Sequence, residues 1–240
     1  MEKITSLTNS KIKKWVSLHQ KKYRDETGLF LVEGEHLIEE ALKANCVDTI
    51  ITDTTSPFDF ENVVEVTPQI MKKLSTHTSD EHYIAVCHKL AKDVKKARRV
   101  VLLDEVQDPG NVGTIIRSAV SFGYDAIYLS ENSCDIYNDK TIRSTQGALF
   151  DIPIITGNLK DIITSLKKDG FTIYSLALRD ATPFSKVKEK DKMAFIFGNE
   201  GNGIHEDIID LSDEVVKIEM QKFESLNVAI AAGIVLYKFQ

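Results

Sequence analysis

The sequence is poor in cysteine and has no long apolar run. Its three cysteines, Cys46, Cys87 and Cys134, lie far apart, and none belongs to a Cys-x-x-Cys pair. A sparse, odd set of thiols is typical of a reducing cytosol and argues against a zinc site, so we expect a cytoplasmic protein without a metal. The apolar runs fall far short of the roughly 20 residues that cross a bilayer, and the N-terminus has no apolar signal segment. We therefore expect no membrane association.

Positive charge is concentrated in two stretches of an otherwise acidic chain. The formal net charge of the 240 residues is −6, yet residues 1–30 carry seven Lys or Arg against three Asp or Glu. Residues 89–99 carry six basic residues against one acidic residue. Such stretches can contact a phosphate backbone, which makes RNA a candidate partner. A solvated surface helix followed by a linker explains the charge equally well.

The apolar pattern divides the chain into two α/β domains. We expect a small domain at 1–90, a basic linker at 91–99 and a larger domain at 100–240. In the small domain, a helix capped by Thr8, Asn9 or Ser10 and helices at 35–44 and 68–74 are predicted with strands at 29–34, 47–52, 63–66 and 83–88. In the larger domain, strands at 100–104, 126–130, 152–155, 171–177, 193–197 and 214–218 alternate with helices at 112–122, 140–147, 158–169, 204–210 and 226–239.

Three polar segments interrupt this pattern, each at the end of an apolar run. They span 104–117, 197–204 and 224–228. In an open α/β sheet, ligands bind where the carboxyl end of a strand leads into a helix, and these segments occupy such positions. We therefore expect the three segments to form one site.

The first segment joins a buried strand to a helix. Pro109-Gly110 is a turn pair, Asn111 can cap the helix that follows, and that helix carries Arg117. Glycines at 110 and 113 would let backbone or a ligand approach closely. The alternative interpretation is an ordinary capped helix with a surface arginine.

The second segment is a glycine-rich loop. Gly198, Gly201 and Gly203 surround Asn199 and Glu200, with a spacing that differs from the dinucleotide fingerprint Gly-x-Gly-x-x-Gly. Loops this rich in glycine often wrap a cofactor. The alternative is a tight connection between a strand and a helix.

The third segment begins the final helix. Ser225 is the expected N-cap, whereas helix propensity gives no explanation for Asn227 in the first turn. The helix from Leu226 to Phe239 is apolar nearly all round. It must therefore be buried, either in its own domain or against a second subunit.

In order and spacing, the three segments resemble the signature motifs of the SpoU (TrmH-type) RNA 2′-O-ribose methyltransferases of the SPOUT superfamily. The matching stretches are Asp-Pro-Gly-Asn-Val-Gly-x-x-x-Arg at 108–117, Phe-Gly-Asn-Glu-Gly-x-Gly-Ile at 197–204 and Ser-Leu-Asn-Val-Ala at 225–229. The resemblance implies S-adenosylmethionine as methyl donor, a homodimer, and a trefoil-knotted C-terminal domain whose mostly parallel sheet has helices on both faces. The first domain, with Phe-Leu-Val-Glu-Gly at 30–34, resembles the small ribosomal-protein-like RNA-binding domain of many members.

The resemblance also implies roles for individual residues. Around the cofactor it places Leu176, Ala177, Gly198, Asn199, Glu200, Gly203, Ile218, Met220, Ser225 and Leu226. The implied catalytic set is Asn111, Arg117, Glu200, Ser225 and Asn227, in which Arg117 is thought to activate the 2′-hydroxyl. Because a guanidinium is very hard to deprotonate, we expect Arg117 to hold the target phosphate and stabilise the emerging alkoxide. Glu200 is expected to pair with Arg117 or with polar groups of the cofactor.

RNA contacts are expected from basic residues of both domains. The candidates are Lys11, Lys13, Lys14, Arg24, Lys140 and Arg143. The last two lie in a stretch at 140–148 that resembles a family segment near the target nucleotide, and the alternative is an exposed helix charge. The chain departs from the family at Glu219, where the third motif usually has proline before Met220. A carboxylate would then sit near the expected adenine pocket.

The first domain favours ribosomal RNA over transfer RNA as the substrate. A non-catalytic RNA-binding protein on the same fold and an unrelated nucleotide-binding α/β enzyme are the competing interpretations. A non-catalytic protein would be expected to lose Asn111, Arg117 or Glu200, and this chain retains all three. The missing Rossmann and P-loop fingerprints disfavour the unrelated nucleotide-binding enzyme.

Overall fold

The computed structural model describes residues 2–76, 81–91, 93–94, 96–222 and 225–240. The strands are β1 (Glu2–Ile4), β2 (Leu29–Glu33), β3 (Val47–Thr52), β4 (Val63–Val66), β5 (Tyr83–His88), β6 (Arg99–Asp104), β7 (Ala126–Ser130), β8 (Ile154–Gly157), β9 (Thr172–Leu176), β10 (Thr182–Pro183), β11 (Met193–Gly198) and β12 (Glu214–Lys217). The helices are α1 (Ser10–Ser17), α2 (Lys21–Thr27), α3 (Glu35–Lys43), α4 (Pro68–Leu74), α5 (Pro109–Ser121), α6 (Asp139–Thr145), α7 (Leu159–Lys168), α8 (Glu206–Ile209) and α9 (Val228–Lys238). Short 3-10 turns lie at Ala148–Phe150 and Phe184–Lys186.

The chain forms two compact units. One contains Met1–Ala91 and Asp135–Phe150, and the other contains Lys92–Cys134 and Asp151–Gln240. By compactness, therefore, residues 135–150 belong with the first unit, although the sequence prediction counted them in 100–240.

The first unit is built on a five-stranded sheet in the order β1-β4-β3-β5-β2. Strands β1, β4 and β3 run parallel, whereas β5 is antiparallel to both β3 and β2. Helix α1 buries Ile12 and Trp15 and leaves Lys13 and Lys14 exposed, because its apolar residues repeat at helical spacing. The buried face packs into a core with Leu18 and the apolar residues of the sheet and α4.

The N-terminal basic stretch forms two helices. Helix α1 ends at Ser17 and α2 begins at Lys21, where the sequence predicted a single Lys-rich helix. The break is stabilised by Arg24, whose Nη1 donates to the carbonyl oxygens of Leu18 (2.7 Å) and His19 (2.8 Å). These carbonyls follow α1, where a helix leaves acceptors without intrahelical partners.

The segment 135–150 is fixed within the first unit by an ion pair and an aromatic contact. Arg24 Nη2 donates to Asp135 Oδ2 at 2.6 Å, and both side chains are largely buried. The rings of Phe30 and Tyr137 lie 4.5 Å apart between centroids. Sequence spacing cannot show a contact between residues more than a hundred positions apart.

The second unit is built on a seven-stranded sheet in the order β10-β12-β9-β11-β6-β7-β8, and each pairing is parallel. This confirms the predicted α/β fold with a mostly parallel sheet. The central strands β6 and β11 are almost wholly buried, as their unbroken apolar sequences require. Strand β10 was not predicted, because two residues leave no periodic signal.

The two arginines at the end of the predicted basic linker have partners in the second unit. Arg99 is the first residue of β6, and its guanidinium donates to Glu189 (2.6 Å). Arg98 forms an ion pair with Asp191. Both guanidiniums are therefore already paired within the second unit. Lys92 and Lys95 of the same stretch lie outside the described residues.

Candidate functional site

A cavity of about 730 Å³ lies in the second unit, at the carboxyl ends of β9, β11 and β12. Parallel strands bring these ends to one edge of the sheet, so the loops after them meet there. The lining includes all ten residues predicted around a cofactor: Leu176, Ala177, Gly198, Asn199, Glu200, Gly203, Ile218, Met220, Ser225 and Leu226. It also includes Arg179, Glu206 and Lys217, charged residues that no motif marked.

A hydrogen-bond network joins the three polar segments. Asn111 Nδ2 donates to Glu200 Oε1 at 2.9 Å, and Asn227 Nδ2 donates to Asn111 Oδ1 at 3.0 Å. Glu200 also accepts from the backbone N–H groups of Gln107 (3.4 Å) and Asp108 (3.3 Å). Asn111 thus lies between a residue of the second segment and a residue of the third.

The network favours the ionised form of Glu200. Partial burial opposes ionisation, but the hydrogen bonds from Asn111 and from the backbone N–H groups outweigh it and hold the pKa of Glu200 below its ordinary value. In this structure Glu200 accepts a hydrogen bond from Asn111, and it does not form the predicted pair with Arg117.

The helix caps differ from the sequence prediction at both helices of the site. Asp108 caps α5 by accepting from Asn111 N at 2.8 Å, and Pro109 occupies the first turn, where its missing N–H costs nothing. Asn227 caps α9 by accepting from Ala229 N at 2.9 Å. Asn111 and Ser225 were the predicted caps. With Asp108 as the cap, the side chain of Asn111 can enter the network instead.

The glycine-rich loop is a tight structure. The backbone groups of Asn199 and Gly203 exchange two hydrogen bonds of 2.9 and 3.0 Å, and Gly203 has a φ of 74°, which favours glycine. A Cβ atom on Gly198 would lie 2.2 Å from the carbonyl carbon of Gly203. Asn199 Nδ2 donates to the carbonyl oxygen of Glu105 at 2.8 Å. The loop therefore requires glycine at 198 for steric reasons.

Arg117 lies on α5, six residues beyond Asn111, and is exposed. Within the described part of the chain, its side chain forms no hydrogen bond or ion pair, and it is not among the cavity-lining residues. A guanidinium in this position is available to a ligand that approaches from outside.

Five of the six predicted RNA contacts lie at least partly exposed. Lys11, Lys13 and Lys14 project from α1 and Lys140 from α6, and Arg143 is half-buried beside Asp139 at 3.2 Å. Arg24 is a correction. It is only 4% exposed, and its guanidinium is occupied by Asp135 and two carbonyl oxygens, so it cannot serve as a phosphate ligand.

Glu219 points to Ser185, although its neighbours Ile218 and Met220 line the cavity. The carboxylate accepts from the hydroxyl and the backbone N–H of Ser185. The hydroxyl hydrogen bond is the main reason that the pKa of Glu219 lies below its ordinary value. The carboxylate expected near an adenine pocket is thus held outside the cavity lining. Glu224 of the third segment lies outside the described residues.

The final helix is only half buried in its own chain. Ala229, Ala232, Val235 and Leu236 are buried. In contrast, Ile230, Ile234 and Tyr237 are 57%, 40% and 61% exposed. Its own domain therefore buries one face of the helix, and burial of the other face against a second subunit stays a prediction.

No described helix has the length and apolar character needed to cross a membrane. The described residues also contain no cluster of three or more His, Cys, Asp or Glu able to hold a metal ion.

Two protein families match this chain. Residues 98–237 match the SpoU rRNA Methylase family, and residues 9–85 match the MRM3-like substrate binding domain. The chain is 38% identical to the 23S rRNA (guanosine(2553)-2′-O)-methyltransferase RlmP of Bacillus subtilis, over 99% of this chain and 98% of the relative. It also resembles the crystal structure of AdoMet-bound rRNA methyltransferase from Sinorhizobium meliloti, with a TM-score of 0.89 and 27% identity, over 99% of this chain and 96% of that one.

Proposed function

Because the chain belongs to the SpoU rRNA methylase family, we propose that it transfers a methyl group from S-adenosylmethionine to the 2′-oxygen of a ribose in ribosomal RNA. The observation that carries this proposal is the network of Asn111, Glu200 and Asn227, which unites three separate motifs beside one cavity. The relative from Bacillus subtilis leads us to propose a guanosine of 23S rRNA as the target.

The cavity suits S-adenosylmethionine in size and lining. Its volume of about 730 Å³ lies in the range of small-molecule sites, roughly 300–1,000 Å³. Leu176, Ile218 and Leu226 supply apolar surface, and the glycine loop supplies backbone groups that a cofactor can approach closely. When bound, the cofactor supplies a methyl group on a sulfonium, which is an activated leaving group. The remaining task of the protein is to position and deprotonate the ribose hydroxyl.

Arg117 is proposed to bind the substrate. Its guanidinium can hold the phosphate of the target nucleotide through two parallel hydrogen bonds and stabilise negative charge that develops on the 2′-oxygen. The proton of the hydroxyl passes to a phosphate oxygen or to water, since the guanidinium is already protonated. Asn111 and Glu200 fix the first turn of α5 and thereby the position of the helix that carries Arg117.

The first unit is proposed to bind RNA. Lys11, Lys13 and Lys14 lie together on α1, and a match to a substrate-binding domain covers that helix. Lys140, and Arg143 with it, would add contacts from α6. Replacement of any one of these basic residues by alanine removes a phosphate contact. Each such loss should reduce the salt dependence of RNA binding by about 0.7 in log–log slope for single strands. Lys160→Ala, which removes a lysine from the second unit, is the matched control.

Family membership also leads us to propose a homodimer, a trefoil knot in the second unit and a cytoplasmic location. The exposed face of Ile230, Ile234 and Tyr237 is the proposed dimer contact, since a contiguous apolar face favours a protein partner. Substitution of Ile230 and Ile234 by Asp should shift the mass measured by light scattering from dimer to monomer. An unchanged mass would exclude this face.

Three measurements test the function. The purified protein should bind S-adenosylmethionine in calorimetry, and it should methylate 23S rRNA or a large-subunit particle in vitro. Mapping of 2′-O-methyl sites in cellular RNA with and without the gene should then reveal one lost site in 23S rRNA. A site lost from transfer RNA would redirect the proposal to that substrate, and binding without any methylation would indicate a non-catalytic RNA-binding protein.

A further inference from the structure

One residue, Asp104, lies beside both ends of the glycine loop, residues 198–204, through its backbone at one end and its buried carboxylate at the other. Asp104 is the last residue of β6 and pairs in register with Gly198, the last residue of β11. Its Oδ2 atom also accepts from the backbone N–H of His205 and lies 2.9 Å from His205 Nδ1. The backbone therefore lies next to Asp104 at Gly198 and again seven residues later, at His205.

Hydrogen bonds between these two ends restrict the conformation of the glycine loop. The Asn199–Gly203 hydrogen bonds close the loop on itself, and the side-chain amide of Asn199 is bound to the carbonyl oxygen of Glu105. Glu105 adopts a φ of 53°, which is unusual for a residue other than glycine and persists only where its surroundings enforce it. The loop is thus attached to the end of β6 at Asp104 and at Glu105.

We propose that Asp104 and His205 form a clasp that holds the glycine loop in its cofactor-binding shape before S-adenosylmethionine arrives. His205 is in this view a positioning residue, since it acts on the loop. This inference rests on the proposed function, because it assigns a ligand to the cavity that the loop lines.

The clasp satisfies a buried carboxylate, although the side chain of His205 is itself 47% exposed. Asp104 is only 3% exposed, and a buried carboxylate is tolerated where charged or hydrogen-bonding partners satisfy it. His205 provides two such contacts, one from the backbone and one from the ring. Without the ring, only the backbone contact of these two would remain, and hydration of the carboxylate would favour an open loop. A loop that must be ordered on binding lowers the affinity for the ligand.

The charges around His205 make the clasp sensitive to pH. The hydrogen bond to Asp104 raises the pKa of His205, and the negative charge of Asp104 adds to this rise. Burial opposes the rise, and the charges of Glu105 and Asp207 add smaller contributions to it. Glu105 lies 3.9 Å from Nε2, whereas Asp207 is itself paired with Lys160 at 2.6 Å. Because the folded pKa is raised, the protonated clasp is complete below the ordinary histidine pKa and weakens as pH rises through the raised value.

The test compares His205→Ala and His205→Gln with His82→Ala. His82 is a matched control, because its ring also pairs with a nearly buried aspartate, Asp53, at 2.8 Å, in the first unit. The affinity for S-adenosylmethionine is measured by calorimetry without RNA, and exchange of the 198–204 amides is measured by mass spectrometry without cofactor. His205→Ala should weaken binding about tenfold and speed exchange, since a lost hydrogen bond to a charged group has an effect of this order. His82→Ala should change neither.

His205→Gln separates the charge from the contact. It keeps a donor for Asp104 but cannot titrate, so it should bind the cofactor with a flatter pH dependence than the wild type as pH rises above the ordinary histidine pKa. If His205→Ala fails to fold, the comparison of the pH profiles of His205→Gln and the wild type is sufficient to test the clasp. The inference is overturned if His205→Ala folds with unchanged affinity and unchanged loop exchange, or if the two pH profiles coincide. A wild-type protein that does not bind S-adenosylmethionine would instead refute the proposed function, and loop exchange would still test the clasp.

Discussion

The side-chain amide of Asn227 donates a hydrogen bond of 3.0 Å to the side-chain oxygen of Asn111, and this contact joins the first turn of α5 to the cap of α9. The two residues are 116 positions apart. Each also has a second contact in the site, since Asn111 donates to Glu200 and Asn227 caps its own helix. Changes at either asparagine should therefore affect both the helix packing and the cavity.

Asn227→Ala should lower the free energy of unfolding and weaken cofactor binding. The loss of an N-cap costs about 1 kcal/mol, which urea denaturation can measure. Asn158→Ala is a matched control, because Asn158 caps α7 in the same way and does not line the cavity. Both variants should lose similar stability, but only Asn227→Ala should bind S-adenosylmethionine more weakly. Equal affinities in the two variants would show that Asn227 is a cap and nothing more.

The elements of the second unit were largely predictable, because long apolar strands alternate with periodic helices. The caps were not, since Asp108 and Asn111 are both good N-cap residues and the sequence alone could not rank them. The structure selects Asp108 because Pro109 fits the first helical turn.

The errors have a common physical origin. Arg24 lies in a basic stretch, and charge alone suggested a phosphate ligand. Its partner Asp135 follows more than a hundred residues later, and no local pattern indicates that the guanidinium is buried. The contact between Glu219 and Ser185 was hidden for the same reason. The trefoil knot that the resemblance implies stays a prediction. It could not have been derived from the sequence pattern, because rules for chain connection treat knots as essentially absent.

Gly198→Ala should disrupt the glycine loop. The new Cβ would lie 2.2 Å from the carbonyl carbon of Gly203, and backbone atoms on both sides must move to relieve the overlap. Overpacking of this kind costs about 1–3 kcal/mol, so the urea midpoint should fall together with cofactor affinity. Gly201→Ala is the control, because its Cβ would meet only the side-chain oxygen of Asn199 at 3.5 Å. A Gly198→Ala protein with native stability would rule out the tight packing described for this loop.

Glu200→Gln should weaken the network and reduce its acid sensitivity. The wild-type pKa of Glu200 is lowered, so its contribution to stability is present above the ordinary glutamate pKa and is lost as pH falls through the lowered value. Cofactor affinity of the wild type should therefore decline on the acid side, and the affinity of Glu200→Gln should be lower near neutrality and decline less. Glu206→Gln, which removes a carboxylate from the same cavity lining, is the comparison. If both variants behave alike, the effect comes from cavity charge and the network is not its cause.

Substitutions of Arg117 should impair positioning of the RNA substrate without affecting binding of the cofactor. Its side chain is exposed and does not line the cavity, so Arg117→Ala should bind S-adenosylmethionine with wild-type affinity. Single-turnover methylation of RNA should nevertheless fall by about 100-fold or more, since removal of one group that stabilises developing charge has an effect of this order. Arg117→Lys keeps the charge but cannot form two parallel hydrogen bonds to a phosphate, so it should recover only part of the rate. A lysine variant with the full rate would show that a point charge suffices, and the bidentate role proposed for Arg117 would then be wrong.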